Sequence, residues 1–145
     1  MAIREAPTLV DFDAQAALEA GLAVADDGLL TAVEYVGADL HPLYVADAIE
    51  AMYDDRAHME SHFDTIAQNR HVDAHEKDLF EQELTDLGRV EFFVTRMDFA
   101  AFGRLVAEEG QGLWVSLDPD VPVVETMEAM RAAVTDEEPE PLYDA

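Results

Sequence analysis

Thirty-three aspartates and glutamates against eight lysines and arginines give these 145 residues a net charge of −25. That imbalance constrains the fold more than any motif does. The acids are spread along the chain, whereas an acidic partner-binding tail would gather them in one block. In dilute buffer such a charge strains a compact chain by self-repulsion. At molar salt the Debye length contracts to ~3 Å and most of that repulsion is screened. Half of the residues are hydrophobic, which is enough for one packed core. A chain of this length fits a single domain that buries about two thirds of its unfolded surface.

The same charge excludes several function classes. A nonspecific grip on DNA or RNA needs a basic face, and the eight bases comprise seven arginines and one lysine, Lys77. There is no cysteine, so disulfides, thiol chemistry and cysteine metal ligands are ruled out. The apolar runs fall far short of the ~20 residues that span a bilayer. Glu5, Asp11 and Asp13 interrupt what would be a secretory core at the N-terminus. The expectation is a soluble cytoplasmic protein with no membrane contact.

The hydrophobic spacing predicts an α+β domain over residues 1–134, followed by an acidic, proline-broken tail at 135–145 expected to be disordered. "DFDAQAALEAGLAVA" reads as a helix capped by Asp11 or Asp13, with Leu18 and Leu22 beside the small residues Ala14, Ala17 and Gly21. "LLTAVEYV" and "LHPLYVA" form a hairpin turning at "GAD", and Pro42 places the second strand at an edge or starts it late. A long helix is expected from Asp47 to about Gln68, with a stripe through Ile49, Met52, Met59, Phe63 and Ile66. A third helix starts at an Asp73–Glu76 capping box and stops at Gly88. "RVEFFVTRM" is a strand, Phe99, Phe102, Leu105 and Val106 suggest a short helix capped by Asp98, and "GLWVSLD" is a further strand. Val123, Met127, Met130 and Val134 line a last amphipathic helix after Pro122. The expected architecture is a small four-stranded sheet, an N-terminal hairpin plus a β-α-β unit, with helices packed on it in the order αββααβαβα.

Four of the five histidines occur as two pairs spaced by four, His58 with His62 and His71 with His75. On a helix such pairs stand one above the other and can share an ion. Asp54, Asp55, Glu60, Asp64, Asp73 and Glu76 add nearby oxygens, and zinc or nickel would accept the set. The zinc-hydrolase signature places glutamate directly after the first histidine. Here Glu60 comes one place later, a rotation of about 100° on a helix that removes a general base from the metal. The competing reading is a row of solvated imidazoles paired weakly with carboxylates one turn away.

Other constellations carry no catalysis. Asp118 and Asp120 end a strand as in phosphatases with an aspartate nucleophile, but only 25 residues follow, too few for the rest of such a site. The alternative is a turn built by proline and aspartate. Gly110 and Gly112 precede a strand and do not open a helix, so no phosphate cradle forms. Serine occurs only at Ser61 and Ser116, with no triad order around them. Trp114, Phe92 and Phe93 have no basic neighbours beyond Arg89 and Arg96, too few for a base-stacking platform, and read as core residues.

The dispersed acids, the single lysine and the absent cysteine resemble cytosolic proteins of haloarchaea that accumulate salt. Within that group, "GRVEFFVTRMDFAAFGRLVAEEGQGLWVSLDPD", together with "VEYVGADL", resembles small haloarchaeal proteins of unknown function across about residues 28–120. The histidine-bearing insertion departs from their pattern. The resemblance implies a small non-catalytic regulatory or interaction module and transfers no functional residue. With no catalytic pair, and with first and last helices rich in alanine, methionine and small residues, the expected role is non-enzymatic. The domain would act as a homo-oligomer or with a protein partner, without cofactor or small-molecule substrate. The alternative is a divalent-metal-binding or proton-sensing protein using His58, His62, His71 and His75.

Overall fold

The computed structural model describes residues 3–67, 70–107 and 110–134. The tail at 135–145 lies outside the described residues. The elements are strand β1 (Ile3–Arg4), helix α1 (Ala14–Ala25), strands β2 (Leu29–Val36) and β3 (Asp39–Val45), helices α2 (Asp47–Glu50), α3 (Arg56–Ala67) and α4 (Arg70–Glu83), strands β4 (Phe92–Arg96), β5 (Ala101–Val106) and β6 (Gln111–Leu117), and helix α5 (Val123–Val134). The strands form one six-stranded sheet in the order β1-β3-β2-β6-β5-β4, and each pairing is antiparallel.

This corrects the expected four-stranded sheet with a β-α-β unit. Residues 101–106 are strand β5, not a helix. Ala101, Gly103 and Leu105 are buried and alternate with Phe102, Arg104 and Val106, which are half-buried, so the period is two. The helical spacing of Phe99, Phe102 and Leu105 is coincidental, and Gly103 is a poor helix former in any case. A Cβ at Gly103 would land on the Met127 sulfur; the glycine lets α5 lie directly on the strand. Strand β1, two residues long, is too short for any periodicity to reveal.

The expected long helix from Asp47 is also broken. Residues 51–55 turn between α2 and α3, and Asp55 accepts the His58 amide at 2.8 Å, capping α3 where an uninterrupted helix would have placed it mid-turn. Helix α4 begins at Arg70, ahead of the Asp73–Glu76 box. Gly88 has φ 87°, as a chain reversal there requires, but it follows a 3-10 turn, Thr85–Leu87.

Asp13 caps α1 by accepting the Ala16 amide at 2.9 Å. The helix buries Ala14, Ala17, Leu18 and Gly21, and Met130 of α5 fits against Gly21, where a Cβ would stand 2.9 Å from its sulfur. These two helices cover one sheet face, over Leu29, Ala32, Leu43, Leu105, Leu113, Val115 and Leu117. Each fully buried leucine there contributes about 2 kcal/mol. The other face carries Leu30, Val33, Phe102 and Trp114 beneath α2 and α3, with a cavity between. Strand β3 lies between β1 and β2, but β1 pairs only with Tyr44 and Val45, so at Pro42 the outer side of β3 is an edge, and the register with β2 is irregular beside it, at Ala32/Val33.

Candidate interaction surface

The two edges of the sheet are treated differently. At one edge β1 is only two residues long, and a chain of alternating acidic and basic side chains closes it. The Glu34 carboxylate is fully buried and accepts the amides of Thr8, Leu9 and Val10 at 2.8, 2.9 and 3.0 Å. It also bonds His41 Nδ1 at 2.6 Å. His41 Nε2 stands 3.8 Å from Glu5, Glu5 binds Arg56 at 2.7 Å, and Arg56 Nε donates to Glu60 at 2.9 Å. Burial opposes the Glu34 charge, but His41 and the three amides outweigh it and hold the carboxyl below the ordinary range. Gln111 completes the strap by bonding both the amide and the carboxylate of Asp11, at 2.7 and 2.8 Å.

At the other edge, β4 pairs only with β5, and exposed apolar side chains are concentrated on α4, on β4 and in the turns that adjoin them. Among the described residues nine large hydrophobics are exposed, and seven of them fall between residues 79 and 99: Leu79, Phe80, Leu84, Leu87, Val94, Met97 and Phe99. Phe99, in the β4–β5 turn, is 92% exposed. Edge strands are normally blunted by shortness, charge or proline, and patches of this kind mark interaction sites.

Partly buried ion pairs tie this surface to the rest of the fold. Lys77, the only lysine, is buried and donates to both Glu81 oxygens at 2.8 Å. Glu81 in turn accepts the Val90 amide at 3.0 Å, tying α4 to the segment that leads into β4. Burial would raise the Glu81 carboxyl, but Lys77 and the Val90 amide hold it below the ordinary range. Phe80 meets Phe93 at 6.4 Å between ring centroids, the Arg104 guanidinium lies 5.1 Å over the Phe93 ring, and Arg131 of α5 pairs with Glu91 at 3.3 Å.

The four candidate metal ligands lie on two helices, His58 and His62 on α3 and His71 and His75 on α4. His58 and His62 both flank Tyr53, at 5.2 and 5.6 Å between ring centroids, and His62 Nδ1 bonds the Tyr53 hydroxyl at 2.7 Å. His58 Nδ1 lies 4.0 Å from Asp54. His75 is exposed on α4, and the side chain of His71 lies outside the described residues. Among the described residues no group of three histidines, aspartates or glutamates could hold a metal ion. Asp118 and Asp120 build a turn, the Asp120 amide donating to Asp118 at 2.9 Å. No described helix is long and apolar enough to cross a membrane. Sequence reasoning missed Glu34 and the β4 edge. Glu34 is an acid in an otherwise apolar strand, which was a signal. For β4 the signal was Met97 and Phe99 in a turn, where polar residues are expected.

A domain of unknown function, DUF7522, matches residues 15–136. The chain belongs to the DUF7522 family. The DUF7522 match takes in α4, the β4 edge and the cavity face, and leaves out β1 and the Thr8–Val10 segment that Glu34 holds. No curated protein matches the chain. Among solved structures, it is similar to a Roadblock/LC7 domain from Streptomyces avermitilis, with 16% identity, a TM-score of 0.43, and coverage of 73% of this chain and 79% of that one.

Proposed function

We propose that this domain is a non-catalytic interaction module that associates through the β4 edge and the apolar flank of α4, with a second copy of the chain as the partner. The observation that carries this reading is the concentration of exposed apolar side chains between Leu79 and Phe99 beside a strand with one free edge. Two copies related by a two-fold axis would pair β4 with β4 antiparallel and cover each other's Val94, Met97 and Phe99. Such a contact is self-complementary and closes at two copies. The −25 charge opposes this association in dilute buffer, and we read the anionic coat as a solvation device for concentrated salt.

Sedimentation velocity tests both parts. The wild-type chain is expected to form dimers more strongly in about 1 M than in about 0.1 M KCl, where screening lengths are ~3 and ~10 Å. Val94→Lys/Phe99→Asp is expected to remain monomeric with an unchanged circular dichroism spectrum. A wild type that is monomeric at every salt concentration and recovers no protein partner, or a double variant that dimerises equally well, would refute the reading.

A further inference from the structure

The cavity under α2 and α3 has a volume of about 220 Å³, and we infer that it is a binding site for a compact single-ring aromatic molecule with one polar substituent. Its walls are apolar: Leu30 and Val33 from β2, Phe102 and Trp114 from the sheet, and Ile49 and Phe63 from the helices above. The size selects the ligand, because a dry cavity of ~150 Å³ already admits benzene, whereas drug-sized ligands need ~300 Å³ or more.

The polar groups select its orientation. Thr31 and Ser116 also line the cavity, but their hydroxyls hydrogen-bond each other across the sheet, so neither requires a polar ligand. Water in this part of the cavity would find few partners, and its displacement by a ring is favourable. His62 and Tyr53 line the cavity too. They form a hydrogen-bonded pair, and His62 is exposed to solvent. A phenol-type substituent would therefore lie against that pair, with the ring pointing inward toward Trp114. This also gives His62 a role that needs no metal.

The site contains its own reporter, since Trp114 is the only tryptophan in the chain. Titration with 4-iodophenol, a heavy-atom quencher of one-ring size, is expected to quench Trp114 fluorescence saturably. Ala100 lines the cavity, and Ala100→Phe would fill it. That variant should weaken the saturable phase at least about tenfold, equivalent to 1.4 kcal/mol, while keeping the wild-type circular dichroism. Should Ala100→Phe fail to fold, Phe63→Ala serves instead, since the enlarged cavity should bind 6-iodo-2-naphthol more tightly than the wild type does. Linear, unsaturable quenching of the wild type would overturn the proposal, as would unchanged saturation in a folded Ala100→Phe or no gain in Phe63→Ala. Saturation seen only in monomeric Val94→Lys/Phe99→Asp would also overturn it, because a partner's side chain would then be the occupant. Saturable quenching by a wild type that proves monomeric would leave this site standing and remove only the association reading.

Discussion

Glu34 shows most clearly how one side chain organises this chain. It sits on β2 facing the core, fully buried, and three consecutive amides with one imidazole satisfy its charge. Glu34→Gln would set an amide NH2 against those donors, at a cost of about 3 kcal/mol near neutral pH. The folded carboxyl titrates below the ordinary glutamate value of 4.5, so the unfolded chain binds that proton more readily. The contribution is complete above the ordinary value and is lost as pH falls through the folded one. Denaturant melts of wild type and Glu34→Gln should therefore differ most at neutral pH and converge as the pH drops below about 4.5. A gap that is constant or widens in acid would contradict this role. The strand itself was readable from the alternation in "LLTAVEYV". The role of Glu34 was not, because its partners at residues 8–10 are supplied by a loop with no periodicity, and His41 gave no sign of lying against it.

At the level of elements, the helices were legible where a start signal and an apolar stripe coincide, as for α1 with the Asp13 cap and for α5 directly after Pro122. Where local signals conflicted, the sequence misled. The stripe from Ile49 to Ile66 predicts one helix, but the capping aspartate at Asp55 splits it. Residues 101–106 fit a helical period of apolar side chains, but Gly103 admits Met127 and makes a strand the better-packed solution. Two glycines in adjacent strands allow a direct comparison. A Cβ at Gly103 meets the flexible end of Met127, whereas one at Gly112 meets the Tyr35 ring and stands 2.7 Å from the backbone oxygen of Leu105. Gly112→Ala should therefore cost about 2–3 kcal/mol, and Gly103→Ala only about 1 kcal/mol, as read by thermal or denaturant unfolding. The reverse order would mean that β5 and β6 are not held closely enough for Leu105 to block a side chain at residue 112.

For the whole molecule, the sheet has one edge closed by a charge chain and a two-residue strand, and one edge left open among apolar side chains. Charge composition gave the solvent reading but not this asymmetry, because the open edge arises from the antiparallel β4–β5 hairpin, whose second strand has the apolar spacing of a helix. Of the histidines, the most conspicuous motif in the chain, His58 and His62 flank Tyr53 and His62 borders the cavity. Amide hydrogen exchange across a protein concentration series in about 1 M salt, where screening is within ~3 Å, tests the open edge most directly. Exchange over residues 92–96 should slow as concentration rises, while exchange over residues 39–45 at the closed side stays constant. Concentration-independent exchange at 92–96 with no protein partner present, or slowing confined to the β1 side, would contradict association through β4.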